Sequence, residues 1–287
     1  MSATSTEPAP AAPDRQLIGP SFPRVLAAEA LKARTVLSTP VLLASAAGLM
    51  VGFAALQAWG LGQFKQAAES DPEAAAAFAQ QGPDVFLSVP AAGVSFSQLI
   101  VGSLAVILIA GEFTTGLSRA TFAAVPRRLP VLAAKLLIVV VLAFAVTYAG
   151  ALVGGLAATP IMAAYDVQVD LASWGVQRDI LLNGAFVAAV AAMGLALGAL
   201  LRNSAGAIVT LVAALFVLPI IAQLIPGDFF EEARKYLPTS AANAMLQAGR
   251  DVPAEGLLEP GQGALVLAAY VAVLLAGAFV SLAKRDV

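Results

Sequence analysis

The chain has neither cysteine nor histidine among its 287 residues. Without cysteine there are no disulfides and no thiolate nucleophiles; without histidine there is no imidazole base, and the usual zinc ligands go with both. Charge is scarce too: Asp, Glu, Lys and Arg make up 12% of residues, the formal net charge is -2, and no nucleic-acid partner is expected. The phosphate-loop pattern Gly-x-x-x-x-Gly-Lys-Ser/Thr does not occur, so the chain is not expected to hydrolyse ATP by that route or to act as an enzyme, and no cofactor or metal is expected on it. Residues 1–23, rich in Ala, Pro, Ser and Thr, lack the apolar centre of a cleaved leader, and residues 1–21 are expected to form a disordered tail.

What is present in excess is apolar surface. Hydrophobic residues make up 60% of the chain and the mean hydropathy is +0.86, outside the range of an ordinary soluble globule. The apolar residues gather in six runs, at about 40–58, 94–110, 131–153, 183–201, 205–224 and 264–283. A hydrocarbon core of about 30 Å takes roughly 17–25 residues at 1.5 Å rise, so each run can span as a helix. Lys135, near the start of the third run, is counted with the connection before it. The runs lack the two-residue alternation of barrel strands, and hydrocarbon offers the backbone no partners, so helices are required. The predicted fold is an all-α polytopic membrane domain over 22–287, with six transmembrane helices.

The connections between runs differ in charge. With the chain start assigned to the cytoplasm, that side holds eleven of the sixteen basic residues, and the opposite side holds thirteen of the eighteen acids. The Lys/Arg bias of short loops then predicts both termini inside, in a plasma membrane.

Two segments on the basic side stand out. Residues 22–37 place Phe22, Val25, Leu26, Ala30, Ala33, Val36 and Leu37 on one helical face, with Arg24, Lys32 and Arg34 elsewhere, which predicts an amphipathic interface helix before the first span. Glu29 falls in the middle of the apolar face, where an unpaired carboxylate is costly, so it requires a cation: Lys32, Arg119 or Arg127. The second segment, about 111–130, reads Gly111-Glu112-Phe113-Thr114-Thr115-Gly116-Leu117-Ser118-Arg119-Ala120-Thr121-Phe122 and ends in Pro126-Arg127-Arg128. It predicts a short helical hairpin capped by Thr114 or Thr115 and stopped near Pro126, with Glu112 against the span and Arg119 in mid-helix.

These stretches resemble the membrane subunits of type-2 ATP-binding-cassette (ABC) transporters. In that family a Glu-x-x-Lys interface helix precedes six spans, matched here by Glu29 and Lys32 beside Arg34. A Gly-Glu-aromatic-x-x-Gly-x-x-Arg-x-Thr segment follows the second span, matched by Gly111, Glu112, Phe113, Gly116, Arg119 and Thr121, then Pro126, Arg127 and Arg128. Tyr236-Leu237-Pro238, before the last span, is similar to the family's outer segment. The resemblance implies the permease half of an ATP-driven exporter. The 111–130 hairpin would be the coupling helix that docks on a separate ABC ATPase subunit, which holds ATP and magnesium, and a second permease subunit would complete the pathway. The alternative is a non-transporting scaffold or sensor-associated subunit of the same topology.

The opposite side carries two further expectations. Ser70-Asp71-Pro72-Glu73 reads as a capping box opening a short exposed helix. Residues 225–263, with Phe229-Phe230 and Tyr236, read as an interfacial or re-entrant segment or as a plain external loop. Within the runs, Ser95, Ser97, Gln98, Ser103, Thr147, Tyr148, Asn183, Thr210 and Gln223 are read as interhelical hydrogen-bonding groups, and the pairs Gly48/Gly52, Gly150/Gly154 and Gly194/Gly198 as packing positions. No acid is expected at mid-membrane depth, which argues against ion coupling.

Overall fold

The computed structural model describes residues 21–125, 128–249 and 256–284, which are helical with no strand among them. The expected disordered tail lies outside the described residues, except at Ser21. The chain opens with α1 (Phe22–Thr35), followed by the long α2 (Ser38–Ser70) and the short α3 (Pro72–Ala79). A 3-10 turn (Pro83–Ala91) leads into α4 (Val94–Thr114), then come α5 (Leu117–Ala124), α6 (Arg128–Ala163) and α7 (Trp174–Leu201). The fifth span is one continuous rod of α8 (Ser204–Val212), a π segment (Ala213–Val217) and α9 (Leu218–Leu224). The chain closes with α10 (Asp228–Lys235), α11 (Pro238–Leu246) and α12 (Pro260–Lys284). Six of these helical stretches are long and apolar enough to cross a membrane, so the coarse architecture is that of a multi-pass membrane protein.

Several helices outrun their apolar runs. α2 has 33 residues and α6 has 36, about 50 Å each, so both extend beyond a hydrocarbon core of about 30 Å. The connection expected over 154–182 shrinks accordingly to the ten residues between α6 and α7. Apolar periodicity marks where lipid ends; backbone hydrogen bonding carries the helix further.

α7 is the most enclosed span. Ile180, Val187, Val190 and Leu195 are fully buried, and the helix packs on α4, α6 and α12. Its contact with α4 depends on missing side chains: a Cβ at Gly194 would lie 2.5 Å from the Gly102 carbonyl oxygen, and one at Gly198 3.1 Å from that of Val106. Gly150 and Gly154 of α6 similarly admit Met50 and Ala54 of α2, whereas a Cβ at Gly48 or Gly52 would meet nothing within 4 Å. Only two of the three expected glycine pairs therefore pack within the chain. The outward apolar side chains, such as Leu56 on α2, Leu156 on α6, Val209 on α8 and Val273 on α12, are exposed as in a bundle solvated by lipid.

The π segment has a local cause. Pro219 cannot donate to the Leu215 carbonyl, and the Leu218 N–H reaches back to Ala213, widening the helix by one residue just before the proline. At the opposite end from α5, α3 is indeed short and exposed, but it opens at Asp71, whose carboxylate accepts from the Glu73 N–H at 2.9 Å, while Ser70 still belongs to α2. The described part of the segment 225–263 is more helical than a plain loop. It folds into α10, which holds Phe229 outward, and α11, whose Ala241, Ala242 and Met245 are buried against α7 and the start of α12.

Candidate functional site

The charges of the interface helix and hairpin converge where α1, α4 and α6 meet. Val25, Glu29 and Ala33 recur every four residues on α1 and form its buried face, with Val25 packed on Val131 and Ala134 of α6. Glu29 thus enters an apolar helix contact, and Lys32 and Lys135 neutralise it there. Lys32 Nζ contacts Glu29 Oε1, and Lys135 Nζ donates to Glu29 Oε2 at 2.6 Å. Lys135 also donates to Glu112 Oε1 at 2.8 Å and to the Leu108 carbonyl at 3.1 Å, so all three N–H bonds of this ammonium are used. Lys32 donates to the same Glu112 oxygen at 2.8 Å.

Two carboxylates and two ammonium groups therefore form one closed, neutral cluster. Its side chains are 4% (Glu29), 7% (Lys135), 12% (Glu112) and 31% (Lys32) exposed. Burial at this level is tolerated because every charge has a partner of opposite sign and hydrogen bonds fill the remaining valences. For Lys32 burial alone disfavours the charged form. The hydrogen bonds it donates to Glu112 and Glu29, with their negative charges, outweigh that and hold its pKa above the ordinary lysine value of 10.5. A cleft of about 460 Å³ opens beside the cluster, walled by Ile107 and Gly111 of α4, Leu117 of α5 and Ile138 of α6.

Lys135 is the member that sequence reasoning missed. Its charge reads with the connection before the third span, but α6 begins at Arg128 and carries Lys135 inward as a buried residue of that span. The available signal was a cation inside an apolar run, which by itself calls for a buried partner. Arg119, offered as another partner for Glu29, is exposed and makes no ion pair among the described residues; Arg127 lies outside them.

The hairpin differs in detail from expectation. α4 continues to Thr114, so Glu112 sits in its last turn. Thr114 and Thr115 do not cap α5; their hydroxyls donate back to the Ala110 and Gly111 carbonyls at 3.2 and 2.9 Å. The corner is made by Gly116 at φ 74°, a left-handed conformation that side chains oppose, and α5 starts at the next residue. On α5, Ser118 is buried, Thr121 and Phe122 are half-buried and Arg119 faces outward.

Two arginines tie the hairpin to the far side of the bundle. Arg202 terminates α7 at φ 52°, lies 5.0 Å from the centre of the Phe113 ring and donates to the Ser281 carbonyl on α12 at 3.5 Å. Arg128, expected to point at a soluble partner together with Arg127, is half-buried. Its guanidinium donates to the Leu282 carbonyl at 2.6 Å and lies 5.4 Å from the Phe122 ring centre. Arg34 is exposed. Glu112, Phe113, Lys32 and Arg128 thus belong to one interlocked layer, from which Arg119 projects.

The polar groups inside the spans behave locally. Thr147, Thr210 and Asn183 bond to carbonyls of their own helices, whereas Tyr148 crosses from α6 to Gln177 of α7 at 2.8 Å. Asp179, expected in a loop, is buried one turn before Asn183 in α7. Among the described residues no group of three or more His, Cys, Asp or Glu could hold a metal ion. Compared with models of known protein families and with curated proteins, the chain matches none.

Proposed function

We propose that the chain is the permease half of an ATP-driven exporter, working with a separate ABC ATPase subunit that binds ATP and magnesium and with a second permease subunit. It sits in the plasma membrane with both termini in the cytoplasm, and the charge asymmetry of the connections supports that orientation. The observation that carries the reading is the rooting of α5: an exposed helix bearing Arg119 joins through Gly116 to Glu112, which two lysines clamp to α1 and α6. A push on α5 reaches three helices through buried charge contacts, as needed to convert a partner's motion into rigid-body displacement of spans. The exposed charge sets the register against that partner.

The test is co-purification from native membranes of the tagged chain with a phosphate-loop ATPase, followed by reconstitution of the complex. Arg119→Glu should weaken ATPase association by about tenfold or more, in line with reversal of an interfacial charge, while the permease stays inserted and dimeric. Glu112→Ala should preserve association but lower transport per ATP hydrolysed. Unchanged association, hydrolysis and transport in both variants would overturn the coupling role of α5 and leave its charges as orientation signals only, whereas failure of any phosphate-loop ATPase to co-purify, with no transport, would leave the non-transporting scaffold.

A further inference from the structure

A second cavity lies on the other side of α1 from the ion cluster, with Ala33 forming part of the wall of each. This groove of about 600 Å³ runs between α1, α2 and α6. Its walls are apolar: Leu26 and Ala30 from α1, Leu43 from α2, Ile138 and Leu142 from α6. Val141, which also lines it, is an exposed residue on the outward side of α6, so the groove opens sideways to whatever surrounds the bundle. For spans of this length and hydropathy the surroundings are lipid.

One end of the groove is chemically different. Thr39 lines it, is 4% exposed, and its Oγ1 is buried with no hydrogen-bond partner. A buried hydroxyl left unsatisfied is costly, so the position calls for an oxygen atom that the protein does not supply. Arg34 lines the same end, is exposed and makes no ion pair among the described residues. An exposed guanidinium and a buried, unpartnered hydroxyl thus line one otherwise apolar slot.

We propose that this groove is a lipid site. It holds one acyl chain of an anionic glycerophospholipid from the leaflet at the α1 end, with the phosphate at Arg34 beside Thr39. The one-ended polarity decides between occupants. A phospholipid is apolar along its length and anionic at one end, whereas an apolar helix from a second copy would leave Thr39 and Arg34 without an acceptor. Because α1 forms one wall, the bound chain also braces α1 against α2 and α6 beside the ion cluster. The proposal does not depend on the transport reading.

Native mass spectrometry of the purified full-length protein, titrated with palmitoyl-oleoyl phosphatidylglycerol or the corresponding phosphatidylcholine, tests it. The wild type should hold phosphatidylglycerol about fivefold more tightly, the factor one basic residue contributes at an anionic surface. Arg34→Gln should bring it down to the phosphatidylcholine level, and Arg34→Lys should keep the preference. Ala30→Trp, which fills the groove, should lose both lipids. Arg24→Gln, on the same helix but away from the groove, should change nothing. Equal retention of the two lipids by the wild type overturns the proposal. So does an equal loss in Arg24→Gln and Arg34→Gln, which would mean diffuse surface charge. If Ala30→Trp alters the oligomeric state while lipid retention is unchanged, the groove belongs to a protein contact and the lipid site is refuted. Should Ala30→Trp fail to fold, as judged by size exclusion and helicity, the three arginine variants decide alone.

Discussion

Lys135 of α6 and Glu29 of α1, 106 residues apart, are joined by a buried 2.6 Å ion pair. The pair closes the cluster that also holds Lys32 and Glu112, and it binds the interface helix to the third span through charge as well as apolar packing.

Removing Lys135 leaves two carboxylates, the buried Glu29 and the half-buried Glu112, to share the single positive charge of Lys32. Lys135→Met should therefore destabilise the protein by about 3–5 kcal/mol, read by unfolding in detergent. Adding Glu29→Gln should recover part of that loss, because the double variant restores charge balance with Glu112 paired to Lys32. A Lys135→Met protein as stable as wild type would show that the cluster carries no net stability.

The raised pKa of Lys32 fixes a pH dependence. A lysine whose folded pKa exceeds its unfolded value contributes stability that is fully present below the unfolded value and is lost as pH rises through the folded one. The melting difference between wild type and Lys32→Met should stay constant from about pH 7 to 9, then shrink once pH passes about 10.5. A difference that shrinks already between about pH 7 and 9 contradicts the assignment.

Glycine substitutions should separate packed from open positions. Gly194→Ala drives a Cβ against the Gly102 backbone carbonyl, which cannot swing aside as a side chain could, and should cost about 1–3 kcal/mol. Gly48→Ala and Gly52→Ala meet nothing within 4 Å and should be neutral or slightly stabilising through helix propensity. Thermal melting of the three variants side by side checks the ranking, and equal effects would contradict the close approach of α4 and α7.

Because the chain has no cysteine, orientation can be read without background labelling. Ala76→Cys, exposed on α3, should react with an impermeant maleimide in intact cells, and Ala123→Cys, exposed on α5, only after permeabilisation. Ser118 is a poor reporter because it is buried. The reverse labelling pattern would invert the proposed topology.

Composition and the six apolar runs determined the fold class, since backbone groups in hydrocarbon are satisfied only in helices or closed barrels, and the runs lack the two-residue alternation of barrel strands. The four-residue recurrence of Val25, Glu29 and Ala33 likewise placed the carboxylate on a buried face and required a cation for it. Which cation met it was decided by tertiary structure. Lys32 is local, one turn along the same helix, and was legible. Lys135 is brought in by the packing of α6 on α1, which no local pattern encodes. The same holds for Arg128, whose charge reads as a surface feature until α12 supplies the Leu282 carbonyl, and for Gly48 and Gly52, whose spacing matches that of Gly194 and Gly198 but faces no helix. Periodicity fixes the face on which a residue lies; only the arrangement of helices fixes what that face meets.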